Sequence, residues 1–395
     1  MARSNLRDVL YKVGFVDQDL KQNIKDKARQ LGFILAGVTL PAPPPHYSTF
    51  EQWLAQGYHG TMNYLANERS RLRRADPKQI LPECQSILVL ATPYSPPSRA
   101  PEKHWDYSEQ TLSEGGVEVE APGDGENTIT GNIASYARGF DYHDILPARM
   151  KELVQFIEEQ VGGPVKNRWY TDTGPILERD LAQQAGIGWI GKNTCLINPR
   201  QGSYFLLSEI FLDLALEPDL PFTTDHCGTC TRCIQACPTD CILPNRTLDA
   251  TRCISYLTIE LKDDIPLELR DKIGDWVFGC DICQQACPWN RFAPEGDAAF
   301  NTNPSTSLRT LPSLTEELDL TSQAFNQRFK RTPIQRAKRR GYLRNVAVAL
   351  GNTADMHALP VLQNALNDEE RMVREHAQWA IEQISKRAAN EQNGK

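Results

Sequence analysis

Residues 227–238 read CGTCTRCIQACP, and the spacing of these cysteines is the strongest signal in the sequence. The spacing C-x2-C-x2-C-x3-C followed by proline is the bacterial ferredoxin pattern for ligation of [4Fe–4S] clusters. A second run, CDICQQACP at residues 280–288, repeats C-x2-C-x3-C-P with one ligand fewer. Cys253 is the candidate for the missing ligand. The sequence therefore predicts a ferredoxin-like domain that holds two cubane clusters.

The same spacing predicts how the eight thiols divide. In paired ferredoxin runs, the cysteine after the x3 spacing ligates the neighbouring cluster. The first cluster is predicted to take Cys227, Cys230, Cys233 and Cys287, and the second Cys237, Cys253, Cys280 and Cys283. Structural zinc is the alternative, because it also accepts four thiolates at C-x2-C spacing, although the reciprocal arrangement favours iron–sulfur. We expect Cys84, Cys195 and Cys241 to be small buried side chains.

Length and composition set the broader limits. A chain of 395 residues is long enough for two or three domains. Nine of its 11 cysteines lie between Cys227 and Cys287, which in a reducing compartment indicates metal binding and not disulfides. The net charge of -7 argues against a uniformly basic nucleic-acid-binding protein. With no apolar leader or membrane-length segment in the sequence, we expect a cytoplasmic protein.

The rest of the chain divides around the cysteine region. Residues 20 to about 213 alternate helical and strand-like patterns, which predicts an α+β or α/β domain with strands at residues 86–94 and 204–214 and a helix whose start is marked by Pro147. A Pro/Ser/Thr-rich linker is predicted from 301 to about 322, before paired helices that resemble HEAT repeats. The predicted domains are 1–218, 219–300 and 301–395. The acidic stretch 104–132 is predicted to be a solvated loop.

Asp172 is the candidate proton donor of the first domain. It lies in DTGPILER, residues 172–179, on a predicted turn between a strand and a helix. A carboxyl group at such a turn suits proton transfer, and a helix N-cap is the alternative role. The domain has neither a G-x-G-x-x-G fingerprint nor a P-loop, which disfavours a Rossmann-bound nicotinamide.

Five motifs together carry a family resemblance: DTGPILER, AGIGWIGKNT (185–194), CGTCTRCIQACPTD (227–240), RCISYLT (252–258) and FGCDICQQACPWN (278–290). In combination they resemble the epoxyqueuosine reductases, cobalamin-dependent iron–sulfur enzymes of tRNA queuosine biosynthesis. The resemblance implies a corrinoid in the first domain, reduced through the two clusters by an external low-potential donor. It also implies reduction of an epoxide to an alkene with loss of water, with Asp172 as the proton donor.

The resemblance also suggests residues around the corrin. Arg74 matches a family position beside it, with a solvated surface arginine as the alternative. Weaker candidates, besides Asp172 itself, are Lys192, Asn193, Ser255 and Asp281. The sequence Asp141-Tyr142-His143 begins like a motif that supplies an axial histidine to cobalt, but Leu146 occupies its glycine position. His143 is therefore expected to be structural or to face the substrate.

Residues 328–344 carry eight Lys or Arg and no Asp or Glu, and this basic segment also contains Phe329 and Tyr342. Clustered cations and stacking aromatics favour contact with an RNA backbone, and a solvated helix face is the alternative. The predicted tRNA contacts are Arg336, Lys338, Arg339, Arg340 and Arg344.

The combined prediction is a monomeric reductase that converts epoxyqueuosine to queuosine at the anticodon wobble position of tRNA. A corrinoid reductive dehalogenase is one alternative, since it uses the same cofactors; the absence of an export signal and the basic segment argue against it. A non-catalytic iron–sulfur subunit for electron transfer or RNA binding is the other.

Overall fold

The computed structural model describes residues 18–94, 128–301 and 312–393. Its strands, in chain order, are β1 (Leu35–Thr39), β2 (Ser86–Pro93), β3 (Asn132–Ile133), β4 (Asn167–Tyr170), β5 (Trp189–Ile190), β6 (Leu196–Ile197), β7 (Phe205–Leu212) and β8 (Trp276–Phe278). The helices up to the cysteine region are α1 (Gln18–Gln30), α2 (Tyr47–Ala55), α3 (Asn63–Ala66), α4 (Glu68–Ala75), α5 (Tyr142–Val161) and α6 (Glu178–Gln184). The remaining helices are α7 (Arg232–Gln235), α8 (Ile254–Ile259), α9 (Leu267–Arg270), α10 (Ile282–Gln285), α11 (Ala298–Asn301), α12 (Leu314–Leu318), α13 (Ser322–Arg328), α14 (Lys338–Thr353), α15 (Leu359–Ala365) and α16 (Arg371–Asn393).

The main sheet has four strands in the order β1-β2-β7-β4, and every neighbouring pair is antiparallel. The two strands predicted from apolar runs are present as the central pair β2 and β7. The antiparallel order corresponds to the α+β form of the predicted fold class, not to the α/β form. Apolar periodicity does not distinguish these forms, because a strand buried on both faces has the same pattern in parallel and antiparallel sheets.

Successive side chains of β2 and β7 point to opposite faces of this sheet, and both faces are covered. Leu88 and Leu90 belong to the core formed with α1 and α5. Ile87 and Val89 belong to the core on the other face, which includes Leu181 of α6. This second face lies beneath the turn that carries Asp172.

Helix α5 begins earlier than predicted, at Tyr142, so that Pro147 lies inside it. Asp141 is the N-cap, and its side chain accepts a hydrogen bond from the backbone N–H of His143. A capping aspartate satisfies one of the free N–H groups of the first turn, so it sets the helix start more strongly than proline does here. The earlier start places Tyr142 at the N-terminus of the helix, beside Asp172.

The cysteine region consists of short helices and loops. Helices α7 and α10, of four residues each, begin at the last residue of an x2 spacing and contain Cys233 and Cys283 respectively. Parallel pairing of β3 with β8 joins this region to the segment before α5. The chain on either side of Cys280 is therefore tied to the domain that contains Asp172.

The C-terminal helices share a core with the cysteine region. Val346 and Leu350 of α14 lie in one cluster of buried side chains with Leu257 of α8 and Val277 of β8. Helices α14 and α16 approach closely at Gly351, where an added Cβ would lie 2.8 Å from Ala380 Cα. The C-terminal helices are therefore fixed against the cysteine region.

The predicted linker from 301 to about 322 is only partly a linker. Residues 302–311 lie outside the described residues, as does most of the predicted acidic loop 104–132. Helix α12 falls within the predicted linker, and its Leu314 and Leu318 are buried in the core. Two leucines four residues apart suffice to anchor a short helix. The surrounding Ser, Thr and Pro residues indicated a linker instead. Throughout the described ranges, no helix has both the length and the apolar character needed to cross a membrane.

Candidate active site

Asp172 lies on the turn between β4 and α6. Its φ angle is +60°, in the left-handed region that residues other than glycine adopt infrequently. The N-cap of α6 is Leu177, so Asp172 is not the cap of that helix and the alternative role is excluded. A backbone conformation of this kind at a carboxylate-bearing turn is a feature of functional sites.

Three groups surround the Asp172 side chain. The Tyr142 hydroxyl donates a hydrogen bond of 2.7 Å to Oδ2, and the Arg336 guanidinium lies 4.0 Å from the same oxygen. The backbone N–H of Asp172 donates to Glu178 Oε1 at 2.7 Å, which fixes the turn. The carboxyl side chain itself is 53% exposed, so a substrate can reach it.

Two further acids lie below the turn. Burial, followed by the charge of Asp172, raises the pKa of Glu178 to about 8. Glu209 on β7 is fully buried, and neither of its carboxyl oxygens has a hydrogen-bond partner within the described ranges. Burial, and then the charges of Glu178 and Asp172, raise the pKa of Glu209 well above its usual range. Glu178 is therefore predominantly protonated at neutral pH, and burial favours the neutral form of Glu209.

Two tyrosines connect the acid site to the cysteine region. The rings of Tyr136 and Tyr142 meet edge to face with centroids 6.2 Å apart, and Tyr136 also contacts Phe278, two residues before Cys280. Burial, followed by the charges of Asp172 and Asp281, raises the pKa of Tyr136. Tyr136 therefore lies between the acid site and the second cysteine run.

Arg336 comes from the C-terminal part of the chain and reaches the same site. Its Nε lies 2.7 Å from Glu260 Oε1, and this ion pair holds the guanidinium at the entrance beside Asp172. The sequence predicted Arg336 as a tRNA contact. The structure places its half-exposed side chain next to the predicted proton donor.

The first predicted set of thiols is brought together at one place. The thiols of Cys227 and Cys230 lie close enough to Cys233 to raise its pKa, after the larger contribution of burial. Burial, followed by Cys227 and Cys233, raises the pKa of Cys287 to about 11. All four cysteines are half-buried.

The second predicted set also converges. Burial raises the pKa of Cys280, and nearby Cys253 and Cys237 raise it further. Cys283 faces Cys195, Cys280 and Cys253. In the described part of the chain, no group of three or more His, Cys, Asp or Glu side chains has an arrangement that could hold a single metal ion.

Two other thiols approach this second set. Cys241 is buried, as expected, but its Sγ lies 3.4 Å from Cys237 Sγ. Cys195 is only half-buried and forms a hydrogen bond with Cys283, so the expectation that it is buried was wrong. Neither contact was apparent in the sequence, because Cys195 is far from the cysteine runs in the chain.

The residues predicted beside the corrin occupy different surroundings. Arg74 is buried, so it is not the solvated surface arginine of the alternative, and burial lowers its pKa. Its guanidinium lies over the Phe50 ring, 5.5 Å from the ring centroid. Tyr64 and Glu178 are close enough to raise its pKa, against the larger effect of burial. Arg74 is thus close to the Asp172 turn.

The other four candidates lie at or near the cysteine loops. Lys192 Nζ donates to the carbonyl oxygens of Gly228 and Cys230 at 2.8 Å each, and Asn193 Nδ2 donates to Cys283 O at 3.3 Å. The Asp281 carboxylate accepts a 2.7 Å bond from the backbone N–H of Ser135. Ser255 is half-buried in α8, two residues after Cys253. These contacts hold the cysteine loops in place.

The basic segment is less exposed than its composition predicted. Lys338 and Arg340 are exposed, whereas Arg339 is paired with Asp368 and Glu369. Arg344 is fully buried and donates hydrogen bonds to carbonyl oxygens including those of Leu257 and Leu261. The prediction that Arg344 contacts RNA was therefore wrong, because this arginine stabilises the interior.

The prediction that the two aromatic residues of the basic segment stack on RNA was also wrong. Phe329 and Tyr342 are fully buried, with ring centroids 4.9 Å apart, so neither is available to stack on a base. The segment folds so that its aromatic side chains enter the core and only some of its cations face solvent.

Sequence reasoning missed several residues of the site. Tyr142 stood in a motif that was considered only for histidine ligation, and Glu178 lies six residues after Asp172 in DTGPILER. Glu209 stood within an apolar strand, where a lone buried acid is a signal in itself. Glu260 gave no signal.

The cysteine region defines the class of protein. Residues 226–290 match the family model described as a 4Fe-4S double cluster binding domain. Together with the carboxyl-bearing turn, this makes the chain an iron–sulfur oxidoreductase. Residues 74–173 match the model described as "Epoxyqueuosine reductase QueG, DUF1730".

Similar proteins identify the family. An epoxyqueuosine reductase of Pseudomonas aeruginosa is 38% identical, covering 92% of this chain and 94% of the relative. One of Cyclobacterium marinum is 40% identical over 82% of this chain and 95% of the relative. The chain belongs to the epoxyqueuosine reductase family, whose members depend on cobalamin and iron–sulfur clusters.

Solved structures agree with this assignment. The epoxyqueuosine reductase of Streptococcus thermophilus aligns with a TM-score of 0.78 at 27% identity, covering 93% of this chain and 91% of that one. A second epoxyqueuosine reductase, crystallised with an epoxyqueuosine-modified tRNA-Tyr stem loop, aligns with a TM-score of 0.76 at 29% identity, covering 93% and 90%.

Proposed function

We propose that this chain reduces epoxyqueuosine to queuosine at the anticodon wobble position of tRNA, with Asp172 as proton donor. The observation that carries the proposal is the juxtaposition of an exposed, conformationally constrained carboxyl group with two convergent sets of thiols, connected through Tyr136. Reduction of the epoxide to an alkene with loss of water needs two electrons and two protons at one place. This arrangement supplies a route for the electrons and a donor for the protons.

We propose that the two thiol sets hold two [4Fe–4S] clusters, with the first bound by Cys227, Cys230, Cys233 and Cys287 and the second by Cys237, Cys253, Cys280 and Cys283. The proximity of the thiols within each set supports this partition. Lys192 and Asn193 then support the cluster loops through their contacts with loop carbonyl oxygens.

The residues around Asp172 fit a corrinoid. Ser135 Oγ and the Glu209 carboxyl oxygens are buried without hydrogen-bond partners in the described part of the chain. The rim of cobalamin carries amide groups, which donate and accept hydrogen bonds. When bound, cobalamin supplies the low-potential electrons for opening the epoxide. We propose that Arg74, Ser255 and Asp281, with Asp172, line or support its pocket.

The chain's own side chains then orient and deliver the proton. Tyr142 holds Asp172 Oδ2 through its 2.7 Å hydrogen bond, while Glu178 fixes the turn from below through the Asp172 N–H. Arg336, held by Glu260, places positive charge at the entrance, where it attracts the phosphates next to the modified nucleoside. Asp172 is exposed between these groups and donates its proton to the departing oxygen.

The tRNA-binding surface is proposed to lie on the basic segment beside this entrance. A cavity of about 340 Å³ is lined by Lys338, Arg339 and Arg340 together with polar side chains of α13. Lys338 and Arg340 are exposed, which suits contact with phosphates. The complex of the structural relative with a modified stem loop supports an RNA ligand.

The remaining features follow from this function. We propose domains at 1–218, 219–300 and 301–395, with α14 to α16 forming a HEAT-like unit. The chain acts as a monomer and receives electrons from an external low-potential donor. Because its substrate is tRNA, the enzyme works in the cytoplasm.

A single-turnover assay tests the reaction. The anaerobic protein is loaded with cobalamin, reduced chemically and mixed with an epoxyqueuosine-containing stem loop, and the nucleosides are quantified by mass spectrometry. We expect queuosine. Intact epoxyqueuosine with cobalamin bound would contradict the proposed substrate, and dehalogenation of a halogenated phenol would support the dehalogenase alternative. Failure to bind cobalamin would support the electron-transfer subunit.

A binding assay tests the RNA surface separately. Replacing Lys338 and Arg340 together by alanine is expected to weaken stem-loop binding by about tenfold at low salt, and binding should weaken steeply as salt rises. Lys386→Ala on the exposed face of α16 is the matched control and should leave affinity unchanged. Equal affinity of the double variant and the wild type would place the RNA elsewhere.

A further inference from the structure

The surface around the first thiol set combines aromatic cover with exposed apolar side chains. The Trp189 indole Nε1 donates to Cys227 Sγ at 3.4 Å, and its ring meets those of Phe222, His226 and Trp289 with centroids 4.9 to 5.7 Å apart. Trp289 in turn contacts Phe292, which is 42% exposed. The aromatic rings thus pack against one side of Cys227, the thiol that Trp189 contacts.

The same surface presents an unpartnered leucine. Leu220 is 89% exposed, the highest value among the large hydrophobic side chains in the described ranges. It lies two residues before Phe222, whose ring stacks on Trp189. An exposed leucine at the edge of an aromatic cluster is typical of a surface that a partner covers for part of the time.

The charge around this apolar centre is positive. Arg200, Arg232 and Arg291 are exposed, and none has an ion-pair partner among the residues that the structure describes. The Arg291 guanidinium lies 4.5 Å from the centroid of the Phe292 ring. Arg200 lies on a turn whose Gly202 contacts Asn290, directly after Trp289. Arg200 and Arg291 therefore lie beside the aromatic rings.

Two acidic side chains of this region are paired with cations. Asp225, next to His226, is paired with Arg246, and Asp219, next to Leu220, is paired with Lys21 and Lys25. A free arginine rim around an apolar centre attracts an acidic partner and steers its approach. The charge pattern thus specifies the kind of partner.

We propose that this surface, which we name the Cys227 face, is the docking site of a small acidic protein that carries single electrons; this rests on the proposed function. In each encounter the reduced carrier loses one electron to the first cluster, so the carrier is oxidised and the cluster is reduced. Two encounters supply the electron pair for one epoxide. Aromatic rings between the clusters and solvent allow electron transfer at contact while excluding water.

Stopped-flow reduction of the clusters tests the proposal, with a strongly acidic reduced flavodoxin as the probe. In the holoenzyme, the Arg200→Glu/Arg291→Glu double variant should slow flavodoxin-driven bleaching of the cluster absorbance by at least about tenfold at low salt. The wild-type rate should fall as salt rises, and the variant rate should depend on salt weakly. Leu220→Asp should also slow the reaction. Lys386→Glu, a single charge reversal that is remote in sequence, should leave it unchanged.

Dithionite distinguishes loss of docking from loss of the clusters, since a small reductant needs no docking site. Iron content and dithionite-driven bleaching should be the same in all variants, which shows that the clusters are intact. An unchanged flavodoxin rate in the double variant, or equal slowing by Lys386→Glu, would overturn the proposal. Loss of stem-loop affinity in the double variant would reassign the Cys227 face to RNA and overturn it as well. A wild-type protein without iron–sulfur absorbance would instead contradict the proposed function.

Discussion

The two ends of the proposed electron path are built differently. At the Cys227 face, the arginines are exposed and have no ion-pair partners in the described part of the chain, and the aromatic rings are partly open to solvent. At the Asp172 end, the charged groups are held in place: Tyr142 and Glu178 fix the carboxyl-bearing turn, and Glu260 holds Arg336. Unpaired charge suits a transient partner, whereas fixed charge suits proton delivery.

This difference implies that the two ends are separable by mutation. Changes at the Asp172 end should impair the reaction without altering cluster reduction. Changes at the Cys227 face should alter electron entry or cluster potential without altering the chemistry that follows. Single substitutions at each end test this separation.

Asp172→Asn should lower single-turnover formation of queuosine by about 10²- to 10⁴-fold, because the amide retains the shape of the side chain but has no acidic proton. Cluster and cobalamin absorbance should be unchanged. Asp271→Asn, at another exposed aspartate, is the control and should react at the wild-type rate. Full activity of Asp172→Asn would remove this residue from the mechanism.

Tyr142→Phe should lower the single-turnover rate by about tenfold, since it removes the 2.7 Å hydrogen bond that orients Asp172, worth about 1–1.5 kcal/mol. Dithionite-driven cluster reduction should not change. Tyr47→Phe is the matched control, because the Tyr47 hydroxyl donates a comparable 2.6 Å bond to Glu51. If both variants lose activity equally, Tyr142 has no special role in orienting Asp172.

The stability of the protein should depend on pH through Glu178. Burial and the Asp172 charge raise its folded-state pKa to about 8, above the unfolded value near 4.5. As pH rises, the unfolded chain therefore loses this proton before the folded chain does. The free energy of unfolding consequently falls as pH rises from about 4.5 to 8. Glu178→Gln should raise the Tm relative to wild type by a few degrees more at pH 8 than at pH 5, since 1 kcal/mol is roughly 2–4 °C.

Glu51→Gln provides the opposite case for the same measurement. Its hydrogen bond with Arg71 lowers the pKa of Glu51, so between pH 5 and 8 this carboxyl group is ionised in the folded state and mostly ionised in the unfolded state. The Tm change in Glu51→Gln should therefore be the same at both pH values. A Glu178→Gln variant with an equally pH-independent Tm change would contradict the account of the acid site.

Trp189→Phe should produce the smallest effect. It keeps the aromatic contact but removes the hydrogen bond to Cys227 Sγ, which stabilises the more negative reduced cluster. We expect the potential of the first cluster to fall by roughly 20–40 mV in an EPR-monitored titration. Phe222→Leu, which removes a stacked ring but no hydrogen bond, should shift it less. Equal shifts would indicate that burial and not hydrogen bonding sets the potential.

These two ends also differ in how far the sequence predicted them. The ligand sets were predicted from the x2 and x3 spacings, which act within a few residues, and this partition stays a prediction. Asp172 was predictable as a residue on a turn between a strand and a helix. Its contacts with Tyr142 and Arg336 were not, because they depend on how distant segments pack.

The basic segment shows why composition alone misled. Eight cations in 17 residues indicated a cationic surface. Composition does not specify which side of a helix faces the core, and α14 is buried along most of its length. Arg344 was therefore assigned to RNA although its hydrogen bonds lie entirely inside the protein. Its buried neighbour Tyr342 was misassigned for the same reason.

The most direct test of the central claim is an EPR-monitored reductive titration of the anaerobically purified protein, combined with metal analysis. The account predicts about eight iron atoms per chain, in two [4Fe–4S] clusters whose reduced signals interact. Replacing Cys280 by serine should disturb one cluster and leave the other in place. Stoichiometric zinc without iron, or a single cluster that depends equally on Cys227 and Cys280, would contradict it.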